Sequence, residues 1–281
     1  MLRTVMLPTD FSEDSESILG FARGLPALGV KVVVLTHVIE ATGMEGPIIA
    51  SKADEVRDRL RSSAAALEAA GLTVEVRVPT GDPFDTIVAL AAEVGVDGIV
   101  CGSHAKGLMT QLVAGSVSER LLRDAPVPMF LVRFDLIKNH ADPTTLVRHF
   151  GDKVLLPTDF SLSASHAFTT AVGLPKGLIK TLYLIHAVDP SLTGEKRRKA
   201  EEGAEFHLKN LQAMAQQQGI SASVVIRRGE AQRAILEELD ERRATGVISG
   251  KRGRNAIQEA LMGSVSMTLL RQASCPVMIV P

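Results

Sequence analysis

Residues 5–12 read VMLPTDFS, and residues 154–161 read VLLPTDFS, an octapeptide repeated with one position changed. Three further matches extend the repeat. HVIE at 37–40 answers HAVD at 186–189, GSVSERLLR at 115–123 answers GSVSMTLLR at 263–271, and VPMFLV at 127–132 answers CPVMIV at 275–280. The offset is 149 positions at the first two matches and 148 at the last two. Self-similarity of this kind means one structural unit used twice. The chain divides into a first unit at 1–134, a polar linker at 135–152 containing Pro143, and a second unit at 153–281.

Each copy alternates short apolar runs with helix-like stretches. In the first, TVML precedes Ser12, an N-cap for a helix expected to run to about Leu28. VKVVVLTHV is nearly continuous and β-branched, as a strand buried on both faces should be. A helix expected from about Ala53 to Ala70 stops at Gly71. LTVEVRV then leads to Gly81-Asp82-Pro83, where Asp82 caps a helix and Pro83 fills its first position. The strand VDGIVCG, a loop, a helix from Gly115 and the strand VPMFLV complete the unit. The second copy repeats the order from KVLLP to PVMIV. Strands alternating with helices predict an α/β fold with a parallel sheet covered on both faces.

Composition narrows the function. The 281 residues carry 31 Lys plus Arg against 32 Asp plus Glu, so no basic excess points to nucleic acid. Two cysteines, Cys101 and Cys275, provide neither a disulfide framework nor a zinc motif. Both fall on predicted strands and read as buried, inert thiols. The opening MLRTVMLPTDFSED meets Pro8 and Asp10 too early for a signal peptide, and no apolar run reaches the ~18 residues of a membrane span. A cytoplasmic protein without membrane or nucleic-acid partners is expected. Glu195 to Lys199 reads as a solvated helical face.

In an open parallel sheet, ligands bind at the carboxyl ends of the strands. Asp10 and Asp159 follow the first strand of each copy, while Gly102 and Gly250 close the fourth. The second copy continues Gly250-Lys251-Arg252-Gly253, then nine residues, then Gly263-Ser264. Glycines admit an anion to backbone N–H groups, and a helix start adds free amides and a positive dipole end. A phosphate chain is the predicted guest, with Lys251, Arg252 and Arg254 adding positive charge. The blander readings are an ordinary N-cap at Gly-Ser and local capping by Asp10 and Asp159. His37 and His186, at matching strand ends, have no assignable nucleophile and read as packed, hydrogen-bonded histidines.

This glycine spacing, together with PTD after the first strand, resembles the nucleotide signature of the universal stress protein family in its ATP-binding branch. The resemblance covers both copies. It implies five-stranded parallel sheets of order 3-2-1-4-5 and ATP or AMP as ligand, with magnesium as a companion of ATP. It implies no defined catalytic role. In the second copy it places Pro157, Thr158, Asp159 and Ala187 at the adenine end and Gly250 by the ribose. Arg252, Gly253, Gly263, Ser264, Val265 and Ser266 fall on the phosphates. The first-copy counterparts are Pro8, Thr9, Asp10, Val38, Gly102, His104, Gly115, Ser116, Val117 and Ser118. There, Ala105 stands where the signature has its second glycine, so the second site ranks above the first.

The leading expectation is a nucleotide-responsive stress protein acting as a binding and signalling module, with protein partners unidentified. A slow ATPase or nucleotide-transfer enzyme and a ligand-free scaffold are the alternatives. The chain has no GxxxxGK[ST] loop, no GxGxxG, and no assignable carboxylate pair for a metal. VPMFLV and CPVMIV are apolar, uncharged fifth strands that need covering at a sheet edge. They predict an intramolecular pseudo-dimer through these strands, with a homodimer of chains as a further expectation.

Overall fold

The computed structural model describes residues 2–41, 43, 45–103, 117–253 and 262–281. In the first half, β1 (Thr4–Pro8) leads to α1 (Glu13–Ala22), β2 (Val32–Thr36), α2 (Gly46–Glu68), β3 (Thr73–Arg77), α3 (Pro83–Val94) and β4 (Gly98–Ser103). It closes with α4 (Val117–Asp124) and β5 (Met129–Arg133). Two short helices, α5 (Phe134–Lys138) and α6 (Thr144–Arg148), join the halves. The second half runs β6 (Lys153–Pro157), α7 (Leu162–Val172), β7 (Thr181–Val188), α8 (Gly194–Gln217), β8 (Ser221–Arg228), α9 (Ala231–Arg242), β9 (Gly246–Gly250), α10 (Ser264–Gln272) and β10 (Val277–Val280).

The strands form one ten-stranded sheet ordered β3-β2-β1-β4-β5-β10-β9-β6-β7-β8. Each half has the expected 3-2-1-4-5 order, and all pairs within a half are parallel. The halves meet where β10 pairs antiparallel with β5, Met278 opposite Phe130. The two fifth strands therefore cover each other's edge. Alternation along each strand feeds two cores. Val5, Leu7, Phe130, Leu156 and Met278 enter one, and Met6, Met129, Leu131, Leu155 and Ile279 enter the other. Both cores contain residues of both halves.

Three local readings change. The first helix ends at Ala22, and Leu25–Leu28 forms a separate 3-10 turn, because Gly24 and Pro26 interrupt the α-helical bonds. The second helix begins at Gly46, earlier than Ala53, with Pro47 in its first turn, where a missing N–H costs nothing. The stretch read as a polar linker contributes Ile137, Val147 and Phe150 to the core, and the Phe150 ring packs edge-on against Phe130 at 5.0 Å. Ser12 and Asp82 cap their helices as expected, accepting from the amides of Ser15 and Asp85.

Candidate functional site

The PTD turn is built twice in the same way. Thr158 N–H donates to Ile185 O at 2.8 Å, and Thr158 Oγ1 accepts from Phe160 N–H at 3.1 Å. Asp159 Oδ1 accepts from Ser161 N–H at 3.0 Å. His186 Nδ1 donates to Thr158 O at 2.8 Å, and the Phe160 ring stacks on His186 at 4.7 Å. Phe160 is thereby held at φ 62°, a left-handed conformation that bulky residues avoid. Thr9, Asp10, Phe11 (φ 61°) and His37 repeat every bond and the 4.7 Å ring contact. The histidines thus fix the turn, as packed, hydrogen-bonded groups.

One carboxylate differs in its surroundings. Asp10 Oδ1 also accepts from the hydroxyls of Ser15 at 2.5 Å and Ser12 at 2.7 Å. Partial burial works against its charge, but these hydroxyls and the Ser12 amide hold the carboxyl below its ordinary range. The residue matching Ser15 in the second half is Ala164, which lines a cleft together with Asp159.

That cleft has a volume of about 910 Å³ and opens at the carboxyl ends of β6, β7 and β9. Pro157, Thr158, Asp159, Ala187, Gly250, Arg252, Gly253, Gly263, Ser264, Val265 and Ser266 all line it. The second-copy residues singled out by the sequence therefore share one cavity. Gly250 allows α7 to approach closely, since a Cβ there would stand 2.6 Å from the backbone of Ser163. A Cβ on Gly253 would stand 2.6 Å from Asp159 Oδ2. Neither glycine has a positive φ, so close approach is the constraint at both. Gly263 N–H donates to Lys251 O at 2.9 Å, and Arg252 N–H donates to Ser163 Oγ at 3.2 Å. The Ser266 hydroxyl donates to Gly250 O at 2.6 Å, which commits it to the loop.

Two features of the wall suit an anion. The N-cap of α10 is Gly263, which makes no side-chain cap bond, so the amides of the first turn face the cleft without one. Arg252 adds a positive charge to the wall, and its Nε is buried with no hydrogen-bond partner among the described residues. Lys251, expected beside it, does not line the cleft. The residue is 7% exposed, and burial followed by the charge of Arg252 pushes its ammonium pKa down.

The sequence reading missed His186 as a wall residue, and also Asp189, Pro190, Gly229, Glu230, Ala231, Ile235 and Met262. Gly229-Glu230 matches Gly81-Asp82 and sits at the carboxyl end of β8, where the strand-end rule would have found it. Hydrogen bonds from Ser191 hold the Asp189 carboxyl below its usual range. Among the described residues no cluster of three carboxylate, histidine or cysteine side chains assembles to hold a metal.

In the first half, Pro8 ends β1, Thr9 and Asp10 form its turn, and Val38 is half-buried after β2. Gly102 lies under the Phe134 ring, which a Cβ would approach to 2.2 Å. Val117 and Ser118 open the described part of α4. His104, Ala105, Gly115 and Ser116 lie outside the described residues, as does Arg254. Arg120 of α4 pairs with Asp82 at 3.1 Å and Asp85 at 3.5 Å and covers the Phe84 ring at 4.1 Å. Its second-half counterpart is Thr268. Among the described residues, no helix is long and apolar enough to cross a membrane.

Known proteins share this fold. The chain matches the Universal stress protein family over residues 1–133 and 151–281. A universal stress protein of Mycolicibacterium smegmatis is 25% identical over 294 residues, covering 98% of this chain and 96% of that one. One from Methanocaldococcus jannaschii is 26% identical over 155 residues, covering 47% of this chain and 96% of its own length. The crystal structure of a universal stress protein from Archaeoglobus fulgidus superimposes with a TM-score of 0.75 at 26% identity, covering 100% of this chain and 98% of that one. With the repeat, the topology and these similarities together, the chain belongs to the universal stress protein family.

Proposed function

We propose that the second half binds an adenine nucleotide, ATP or AMP, and that the protein works as a nucleotide-responsive module rather than as a catalyst. One observation carries this reading. The glycine loop, the uncapped start of α10 and the Arg252 side chain converge on one cleft of about 910 Å³. That volume lies within the range of small-molecule sites. A phosphate chain would accept hydrogen bonds from the amides of Ser264, Val265 and Ser266 and from Arg252. The adenine and ribose would lie toward Asp159, Ala187 and Gly250. The described wall carries three carboxylates, Asp159, Asp189 and Glu230, against Arg252, so the pull on an anion would come locally from Arg252 and the α10 amides and not from net charge. Magnesium accompanying ATP would be held by the phosphates.

The test is direct. Small molecules released from the purified, denatured chain are identified by mass spectrometry, and ATP and AMP are titrated calorimetrically into the stripped protein. An adenine nucleotide bound at about one per chain is expected, weakened at least ~10-fold, or ~1.4 kcal/mol, by Gly263→Val. A Cβ at Gly263 would already stand 3.3 Å from Gly253 N, so valine branches would intrude on the loop. Unchanged affinity in a folded Gly263→Val protein rejects this assignment of the cleft.

A further inference from the structure

The far end of α10 is closed from the other half of the molecule. Arg133, the last residue of β5, donates from Nη1 to Arg271 O at 3.0 Å and Ala273 O at 3.3 Å. These carbonyls belong to the last turn of α10 and its C-cap, where helix geometry leaves acceptors without intrahelical partners. Arg133 Nε donates to Asp135 Oδ1 at 2.9 Å, which steadies the other side of the guanidinium. The side chain is 18% exposed, so water competes weakly for these bonds. The pseudo-symmetric position at the end of β10 is Pro281, which has no side-chain donor. The β5–β10 pair thus supplies this cap in one direction, toward the half that holds the open cleft.

We infer that Arg133 is a positioning residue for the second-half cleft, holding α10 from the first half so that its opening turn stays aimed at the ligand. Nine helical residues span about 13 Å, short enough to move as a rod. One end is tied by Ser266 Oγ to Gly250 O, and the other by Arg133. A cation at the carboxyl end also complements the helix dipole, whose positive end faces the cleft. The proposed nucleotide site would then depend on a residue outside its own domain. The ligand side of this inference rests on the nucleotide reading; the anchoring of α10 does not.

Two measurements on the full chain separate them. In ligand-free protein, Arg133→Gln should speed hydrogen exchange at Met267 through Leu270 at least ~10-fold, with β7 and α9 unchanged. Arg133→Lys, which keeps a charged donor, should recover most of the protection. With ATP as the probe, Kd should rise at least ~5-fold in Arg133→Gln and recover in Arg133→Lys. Unchanged exchange in α10, or acceleration spread evenly over the second half, overturns the anchoring role. Altered α10 exchange with ATP affinity equal to wild type overturns the positioning of the cleft. If α10 responds as expected and the wild-type chain binds no ATP, the anchoring stands and the nucleotide reading falls.

Discussion

Arg227 Nε donates to Glu238 Oε2 at 2.6 Å, joining the strand β8 to the helix α9 through a carboxylate that is fully buried. Arg242 Nε holds the other oxygen at 2.5 Å, and its guanidinium lies 5.1 Å from the Tyr183 ring centroid. Glu238→Gln removes the charge and keeps the shape. Breaking a fully buried pair costs about 3–5 kcal/mol. Here the two arginine side chains are 39% and 41% exposed and would rehydrate. A loss of about 2 kcal/mol is expected, read as a lower urea midpoint at unchanged slope. An unaltered midpoint would mean that the clasp contributes nothing to stability.

The two loop glycines should behave differently. A methyl at Gly250 meets the backbone of Ser163, which cannot move without shifting α7. Gly250→Ala should cost about 1–3 kcal/mol of stability, the usual penalty for overpacking. A methyl at Gly253 meets the carboxylate end of Asp159, which can rotate away. Gly253→Ala should cost less stability than Gly250→Ala, about the ~1 kcal/mol of the Asp159–Ser161 hydrogen bond, and weaken ATP binding by re-aiming Asp159. Equal stability losses in the two variants would contradict this division.

Much of this site was legible in the sequence because its residues sit at strand ends, and the duplication displayed those ends twice. The PTD turn, the glycine spacing and the start of α10 followed from that alignment. Other features depend on tertiary packing. The left-handed Phe160 needs the His186 ring and the Thr158 hydroxyl to hold it, and no local signal marks it. Phe150 looks like part of a polar connection until the Phe130 ring is placed beside it. Lys251 was readable in principle. Strand side chains alternate, so with Gly250 against α7 the next residue turns to the other face.

Cys101 and Cys275 are buried, and desolvation pushes both thiols up to about 12. Native protein at pH 8 should therefore leave an aromatic disulfide reagent unconsumed, while unfolded protein should react at both positions. The pH dependence follows from the same shift. An unfolded thiol ionises near its ordinary 9.0, three orders of magnitude in proton concentration before the folded one. The thiol contribution to stability is fully present below pH 9 and is lost as pH rises toward about 12. Rapid labelling of native protein, or thermal stability that rises over that interval, would contradict the buried assignment.

Met278 is fully buried and lies opposite Phe130 in the β5–β10 register. It belongs to a core shared by both halves, including Phe21, Val147 and Phe150. Met278→Asp would place a carboxylate among these groups, and a loss of at least ~3 kcal/mol is expected. Because both cores cross the seam, wild-type unfolding should be one transition, with fluorescence and circular dichroism curves coinciding. Two separated transitions in the wild type, or a harmless Met278→Asp, would mean that the halves are energetically independent.

Turnover is the last expectation, and it follows from how three of the four carboxylate and histidine groups on the described wall are already engaged. Asp159 Oδ1 accepts from the Ser161 amide, Asp189 Oδ1 from the Ser191 amide at 2.8 Å, and His186 Nδ1 donates to Thr158 O. A base committed to holding a turn is poorly placed to activate water on a phosphate. No described three-ligand cluster fixes a metal on the opposite side. Multiple-turnover phosphate release with magnesium and ATP should therefore run at least ~1000-fold below the median enzyme rate of about 10 per second. Gly263→Val supplies the control, since release by a contaminant would persist in it. A rate near that median, abolished by Gly263→Val, would make the cleft an active site and the binding-module reading wrong.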